Sequence, residues 1–333
     1  LRGVAVLLMV MVHAAATWNP FKGDQETILA YLVSGLGGLA APLFVTLFGW
    51  GMYRSKPNVK ARMFQATFLI FCQILVNISS PHLFNPLTPG ILSLMALLTI
   101  IFPLIQYILI KLNKNIIILI LMVTFLFQIL LPEIQGIGDW GDRVEDNSLR
   151  TILSNLFLTG TYPLFPWFLL FTIGATISSL ETKSSQSLPV NQKSILVVVI
   201  GSLFCIVTFI MAQYNDKLWA HPTSDAYLTF FPANPAFIVA AITGTLLIWF
   251  LVQHFVLSLL VSTGRISLTI YVIHFIPLSL MHNFENDYQW SVGLSASIVM
   301  LYTLIWIPIS LLWLKYLPSI NLEKLLRLAR KSL

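Results

Sequence analysis

The sequence predicts an all-α integral membrane protein: a single bundle of about ten transmembrane helices, with both termini cytoplasmic. Three observations carry this. First, 57% of the 333 residues are hydrophobic and only 10% charged, with a mean hydropathy of +0.84. A soluble domain carries roughly 25% charged residues, so this chain is solvated by lipid. Second, its apolar runs are roughly 16 to 26 residues long, as helices crossing a hydrocarbon core of about 30 Å require. Barrel strands would be shorter and would alternate, and no alternation appears. Third, the connections between ten spans alternate in charge. The spans are 2–18, 28–53, 63–79, 88–111, 115–132, 152–179, 194–214, 233–258, 266–282 and 292–317.

One side of that alternation holds 15 of the 19 Lys and Arg residues, against only Glu181 and Glu323. The other holds Lys22, Arg143, Arg150 and Lys217 with the remaining 11 of the 13 acids. The positive-inside rule makes the first side cytoplasmic. The net charge of +6 is therefore topogenic, and no nucleic-acid partner is expected. Cys72 and Cys205 both fall inside spans and offer neither a disulfide framework nor a metal spacing.

The first span, LRGVAVLLMVMVHAAATW, resembles a cleavable signal peptide, but the charge alternation works best if it stays as a helix. The chain begins with Leu rather than Met, so further residues are expected upstream. On a helix Arg2 and His13 lie about 20° from one face and roughly 16 Å apart along the axis. Arg2, Val6, Met9 and His13 form one stripe, with a polar edge that belongs against protein or a cavity. An ionisable residue within a span points by default to function, and an interhelical hydrogen bond is the plainer reading. In the second span Gly35, Gly37, Gly38, Ala40, Ala41, Gly49 and Gly51 permit close helix approach. The basic residues that follow, Arg54, Lys56, Lys60 and Arg62, are either topogenic charge or a seat for a phosphorylated ligand.

The sixth span reads TYPLFPWFLLFTIGA. Pro163 and Pro166 each remove a backbone donor, which is tolerable beside a cavity. Asn155, Thr159, Tyr162 and Pro166 follow helical spacing on one face, and Trp167 is either an interfacial belt residue or an acceptor platform. A polar linker, 180–193, separates six spans from four. The connections 17–27, 133–151 and 215–232 are long enough to shape an outer site, and the last is rich in turn formers and aromatics. The ninth span begins STGRISLTIYVIHF, placing Ser267, Tyr271 and His274 at i, i+4 and i+7. His274 would sit about 12 Å beyond the inner boundary. The tail, 319–333, reads as an amphipathic helix on the cytoplasmic surface.

The segments LRGVAVLLMVMVH, APLFVTLFGWGM, PGILSLMAL, YPLFPWFLLFTIGA and GRISLTIYVIH occur in an order that suggests a family. Over nearly its whole length the chain resembles the transmembrane acyltransferases: heparan-α-glucosaminide N-acetyltransferase, its prokaryotic relatives, and more distantly the acyltransferase-3-type glycan O-acyltransferases. The resemblance implies one transmembrane acyltransferase domain over 1–333, in a prokaryotic plasma (inner) membrane. Acyl-CoA, acetyl-CoA above all, would enter as co-substrate from the cytoplasm. The acyl group would pass to an amine or hydroxyl of a sugar or glycan acceptor outside. The resemblance marks His13 as the catalytic candidate. In the lysosomal enzyme the critical histidine is expected in the loop after the first helix, where WNPFKGDQET has none. Either His13 has taken the role, or Asp24, Glu26 or the outer His82 contributes.

Acyl transfer from a thioester needs a base to take a proton from the attacking group. Histidine, with an ordinary pKa of about 6.5, suits this, and such catalysis contributes about 10²–10⁴-fold. An acyl-histidine route stays equally open. His274, Tyr271 or a backbone amide would support the oxyanion. Arg2, Arg54, Lys56, Arg62 and Arg265 are the expected acyl-CoA contacts, and Tyr162 and Trp167 the acceptor contacts. His82, His221 and His282 could all be outer, but no HxxxH or HExxH spacing supports a metal site. Oligomeric state, including a homodimer, stays open. The competing class is a transporter of a small polar solute. It would explain the intramembrane histidines but not the ordered motifs, and no inverted or broken-helix repeat is visible.

Overall fold

The computed structural model describes residues 1–20, 33, 35–55, 57–111, 116–136, 139–180, 192–222, 226–255 and 257–331. Asp24, Glu26, Lys56, residues 28–32 of the second span and 181–191 of the linker lie outside the described residues. The chain is mostly helical: α1 (Arg2–Thr17), α2 (Ala40–Ser55), α3 (Val59–Ser79), α4 (Ile91–Lys111), α5 (Ile116–Leu130), α6 (Leu149–Ser154), α7 (Leu164–Leu180), α8 (Gln192–Tyr214), α9 (Pro235–Gln253), α10 (Leu259–Arg265), α11 (Ser267–Ile273), α12 (Phe275–Leu280), α13 (Val292–Tyr316) and α14 (Leu322–Lys331). Among the described residues six helices are long and apolar enough to cross a membrane, and the count reaches eight if each of two bent pairs is one span. α1 and the Ile118–Leu130 stretch of α5 are shorter apolar helices.

The bent pairs correct the sequence reading, which treated span six as continuous and left residues 259–265 in the connection before span nine. The sixth span breaks between Leu149–Thr159 and Leu164–Leu180, with a bend of 48°. The turn Asn155–Thr159 is widened to π geometry, and the N–H of Gly160 reaches back to the Asn155 carbonyl. Gly160–Pro163 is not helical, so Tyr162 does not share a helix face with Asn155 and Thr159. The missing donor of Pro163 leaves carbonyls at the break without helical partners. Buried Arg143 reaches the break: its Nη1 donates to the carbonyl of Thr159 at 2.8 Å, while its Nη2 donates to that of Gly136, in the preceding connection, at 3.1 Å. The second bend, of 73°, lies between Leu259–Arg265 and Ser267–Asp287, at the start of the ninth span.

Contacts within the chain define two compact units. The first comprises Leu1–Ala41, Ile74–Pro86 and Phe255–Leu333. In it α1 packs against α10 and α13. The close crossing depends on Gly3, where a Cβ would come within 2.3 Å of the Leu260 carbonyl oxygen. A core of Met11, Ala14, Ala15, Trp18, Leu278 and Val299 closes its far end.

The second unit comprises Pro42–Gln73 and Leu87–His254. Here Gly49 and Gly174 bring α2 and α7 into backbone contact, with added Cβ atoms 2.1 Å from the Phe171 carbonyl oxygen and 1.8 Å from that of Thr46. The connection read as a loop holds a small parallel pair instead, β1 (Leu218–His221) and β2 (Ala226–Thr229), with Leu218 opposite Ala226 and His221 opposite Thr229.

Candidate active site

The first unit brings His13 and His274 together. Nδ1 of His13 lies 2.8 Å from Nε2 of His274. The ring planes are 17° apart with centroids at 5.1 Å, the separation of two near-coplanar rings meeting nitrogen to nitrogen rather than face to face. Nδ1 of His274 lies 2.9 Å from the Ile270 carbonyl, one turn back on α11. A carbonyl only accepts, so His274 carries its proton on Nδ1 and, when neutral, offers a lone pair at Nε2. His13 must then donate from Nδ1. Its own lone pair sits at Nε2, which has no partner among the described residues. When neutral, the two rings thus form a directed chain that ends in the lone pair of His13 Nε2.

The packing shows which ring is accessible. His274 is fully buried and His13 half-buried. Phe275 lies 4.6 Å from the His13 ring, and Tyr271 stands edge-on to it at 6.3 Å. Trp306 stands edge-on to His274 at 6.5 Å. The break between α11 and α12 falls at His274, and the hydroxyl of Tyr302 donates to the His274 carbonyl at 2.5 Å. Beyond His13, buried Trp18 donates from Nε1 to the Met281 carbonyl at 2.9 Å and holds the top of α1 against the end of α12.

The other predicted residues are spread more widely. His82 is half-buried and lies against His282, with ring centroids 4.9 Å apart. Neither nitrogen of His82 finds a partner among the described residues. Burial, and secondarily His282, hold its pKa below the ordinary 6.5. Its loop joins the site through Phe84, edge-on to Phe275 at 6.0 Å. Arg2 and Arg265 are both exposed. They sit at one crossing, since a Cβ on Gly264 would lie 3.5 Å from that of Arg2.

In the second unit Arg54 is exposed with its guanidinium 4.8 Å from the centre of the Trp50 ring, and Arg62 is half-buried. Trp167 is fully buried, packed by Tyr162 at 5.2 Å and Phe230 at 5.2 Å. It is therefore neither a belt residue nor an open platform, because the break in its span turns it into an aromatic core. Half-buried Tyr162 keeps an exposed edge. Among the described residues no group of three His, Cys, Asp or Glu side chains is placed to hold a metal ion.

Sequence reasoning missed the Ile270 carbonyl and Tyr302, and it named His282 only as one of three outer histidines, without its contact with His82. The carbonyl follows from i−4 geometry once His274 is helical. Tyr302, four residues before Trp306, gave a periodic signal that reads as packing.

Its apolar helices make the chain a multi-pass membrane protein. It belongs to the acyltransferase-3 family: the acyltransferase domain of that family matches residues 1–313. The match falls on the branch that the sequence motifs placed as the more distant one, and it makes the protein a membrane acyltransferase in general terms. No curated protein sequence matches the chain.

Proposed function

We propose that His13 is the general base of transfer from acyl-CoA to an amine or hydroxyl of a sugar or glycan, with His274 as the group that orients it. The observation that carries this is the directed chain from Ile270 through His274 to the free Nε2 of His13. In the proposed step the acceptor O–H or N–H gives its proton to Nε2 while its heteroatom attacks the thioester carbonyl. The tetrahedral intermediate collapses with loss of the C–S bond, and the His13 imidazolium returns the proton to the CoA thiolate. His274 keeps its Nδ1 proton throughout and stabilises the transient charge through the Nδ1–H of His13, as the orienting member of a catalytic triad does.

The donor rests on the exposed cations Arg2, Arg265 and Arg54, half-buried Arg62, and Lys56. The acetyl group and a relation to heparan-α-glucosaminide N-acetyltransferase rest on the ordered motifs, and the acceptor contact on Tyr162. Ten spans with cytoplasmic termini would follow if α1 and α5 each cross, and the 15-to-4 division of basic residues supports this. A prokaryotic inner membrane fits that topology. The test is incubation of the purified protein with labelled acetyl-CoA and a panel of amino sugars and glycans. Label in a product supports the reading. Binding of CoA without transfer to any acceptor, and without hydrolysis, contradicts it.

A further inference from the structure

Glu323 was one of only two acids on the basic side of the chain, and the structure gives it a task. α11 begins without a cap of its own: Ile266 precedes it and contributes no side-chain hydrogen bond. The cap comes from α14. Oε1 of Glu323 accepts from the backbone N–H of Leu268 at 2.5 Å and of Thr269 at 3.2 Å, and Oε2 accepts from the Thr269 hydroxyl at 2.6 Å. The Leu322 N–H in turn donates to the Thr269 hydroxyl at 2.9 Å. A carboxylate on the first free N–H groups of a helix is favoured by both hydrogen bonding and the helix dipole. The far end of this seven-residue helix is His274.

α14 itself is built for a lipid surface. Asn321 caps it through the Lys324 N–H at 2.7 Å, and the Trp313 Nε1–H donates to the Ile320 carbonyl at 2.6 Å, tying the connection before the helix to the end of apolar α13. At 100° per residue Leu322, Leu325, Leu326 and Leu328 share one side, and Lys324, Arg327 and Arg330 the other, with Glu323 among them; Lys324 and Arg330 are half-buried. Leu325 and Leu328 are more than half exposed, and Arg327 is exposed. A helix beginning five residues after a 25-residue apolar helix meets the bilayer boundary, and its basic face fits anionic headgroups.

We infer that anionic lipid headgroups dock α14 on the membrane surface and that Glu323, carried on it, caps α11 and so positions His274. Glu323 is a positioning residue, and the link to transfer rests on the proposed role of the histidine pair. The test places the full chain in nanodiscs of phosphatidylcholine alone, or with about 30% phosphatidylglycerol. It reads hydrogen exchange over residues 266–274.

The expected result is slower exchange in the anionic discs. In Glu323→Ala, exchange quickens roughly fivefold, as for a lost helix cap, and no longer depends on lipid. Replacing Lys324, Arg327 and Arg330 together with Gln should remove the lipid dependence but keep the cap in place. Equal exchange of the wild type in both discs, or unchanged exchange in Glu323→Ala, overturns the inference. So does a dependence on protein concentration instead of lipid, which would place a second copy on α14. Wild-type rates of acyl transfer in both variants would overturn the link to the histidines. Exchange behaving as expected while no form of the protein transfers an acyl group would support the latch and remove the acyltransferase reading instead.

Discussion

His274 receives a hydrogen bond from His13 and donates one to the carbonyl of Ile270, its own helical neighbour four residues back. The half-buried ring is therefore positioned by a ring that is fully buried. Removing the buried partner should lower turnover and leave acyl-CoA binding nearly intact. We expect His274→Ala to reduce kcat by about 10²-fold or more, within the range of base catalysis, with little change in KM for acyl-CoA. A steady-state comparison checks this, and a rise in KM alone would make His274 a binding residue.

The donor site can be divided by its cations. Arg54, Lys56 and Arg62 changed together to Gln should weaken the thermal stabilisation given by CoA, since phosphates need charged donors. The Arg2 and Arg265 pair should be tested the same way. Both residues are exposed, so unfolding in the absence of CoA should barely change. Unchanged CoA stabilisation in one variant set would assign the phosphates to the other.

Gly3 sets the crossing that brings α1 to α10, just before the ninth span. Gly3→Ala should destabilise the protein by about 1–3 kcal/mol and lower transfer, because the added carbon meets a backbone oxygen that cannot rotate away. Gly35→Ala, where nothing lies within 4 Å, is the control and should change stability by less than about 1 kcal/mol. Thermal unfolding in detergent reads both.

His82 should make stability depend on pH. Its folded pKa is held below 6.5, so folding favours the neutral ring. The unfolded chain takes up this proton first as pH falls. Stability is full above about pH 6.5 and declines as pH drops through that value toward the lower folded pKa. His82→Gln should flatten the decline between about pH 7 and pH 5, measured as the shift in Tm. An equal decline in both proteins would assign it to other groups.

The helices were legible because lipid leaves so few alternatives for an apolar run, and the charge on the connections is independent of packing. The breaks were not. Pro163 and Pro166 announced trouble in the sixth span, but not that Arg143, on the short helix Trp140–Val144 before it, donates to the Thr159 carbonyl at the break. The small strands Leu218–His221 and Ala226–Thr229 are four residues each, too short for alternation to separate them from a turn-rich loop. His13, Tyr271 and His274 were each visible as polar positions on apolar helices. Their meeting was not, because 261 residues separate the two histidines and sequence spacing says nothing across that distance. Glu323 stood out only as an acid among connections that are otherwise basic.

The central claim is that Nε2 of His13 accepts the acceptor's proton, and the transfer rate of His13→Gln tests it most directly. Glutamine keeps a polar group that can bond to His274, but an amide takes up no proton at neutral pH. The account predicts loss of transfer by at least about 10²-fold, with CoA still raising the unfolding temperature as it does for the wild type. Near-normal transfer by a folded, CoA-binding His13→Gln protein would contradict it.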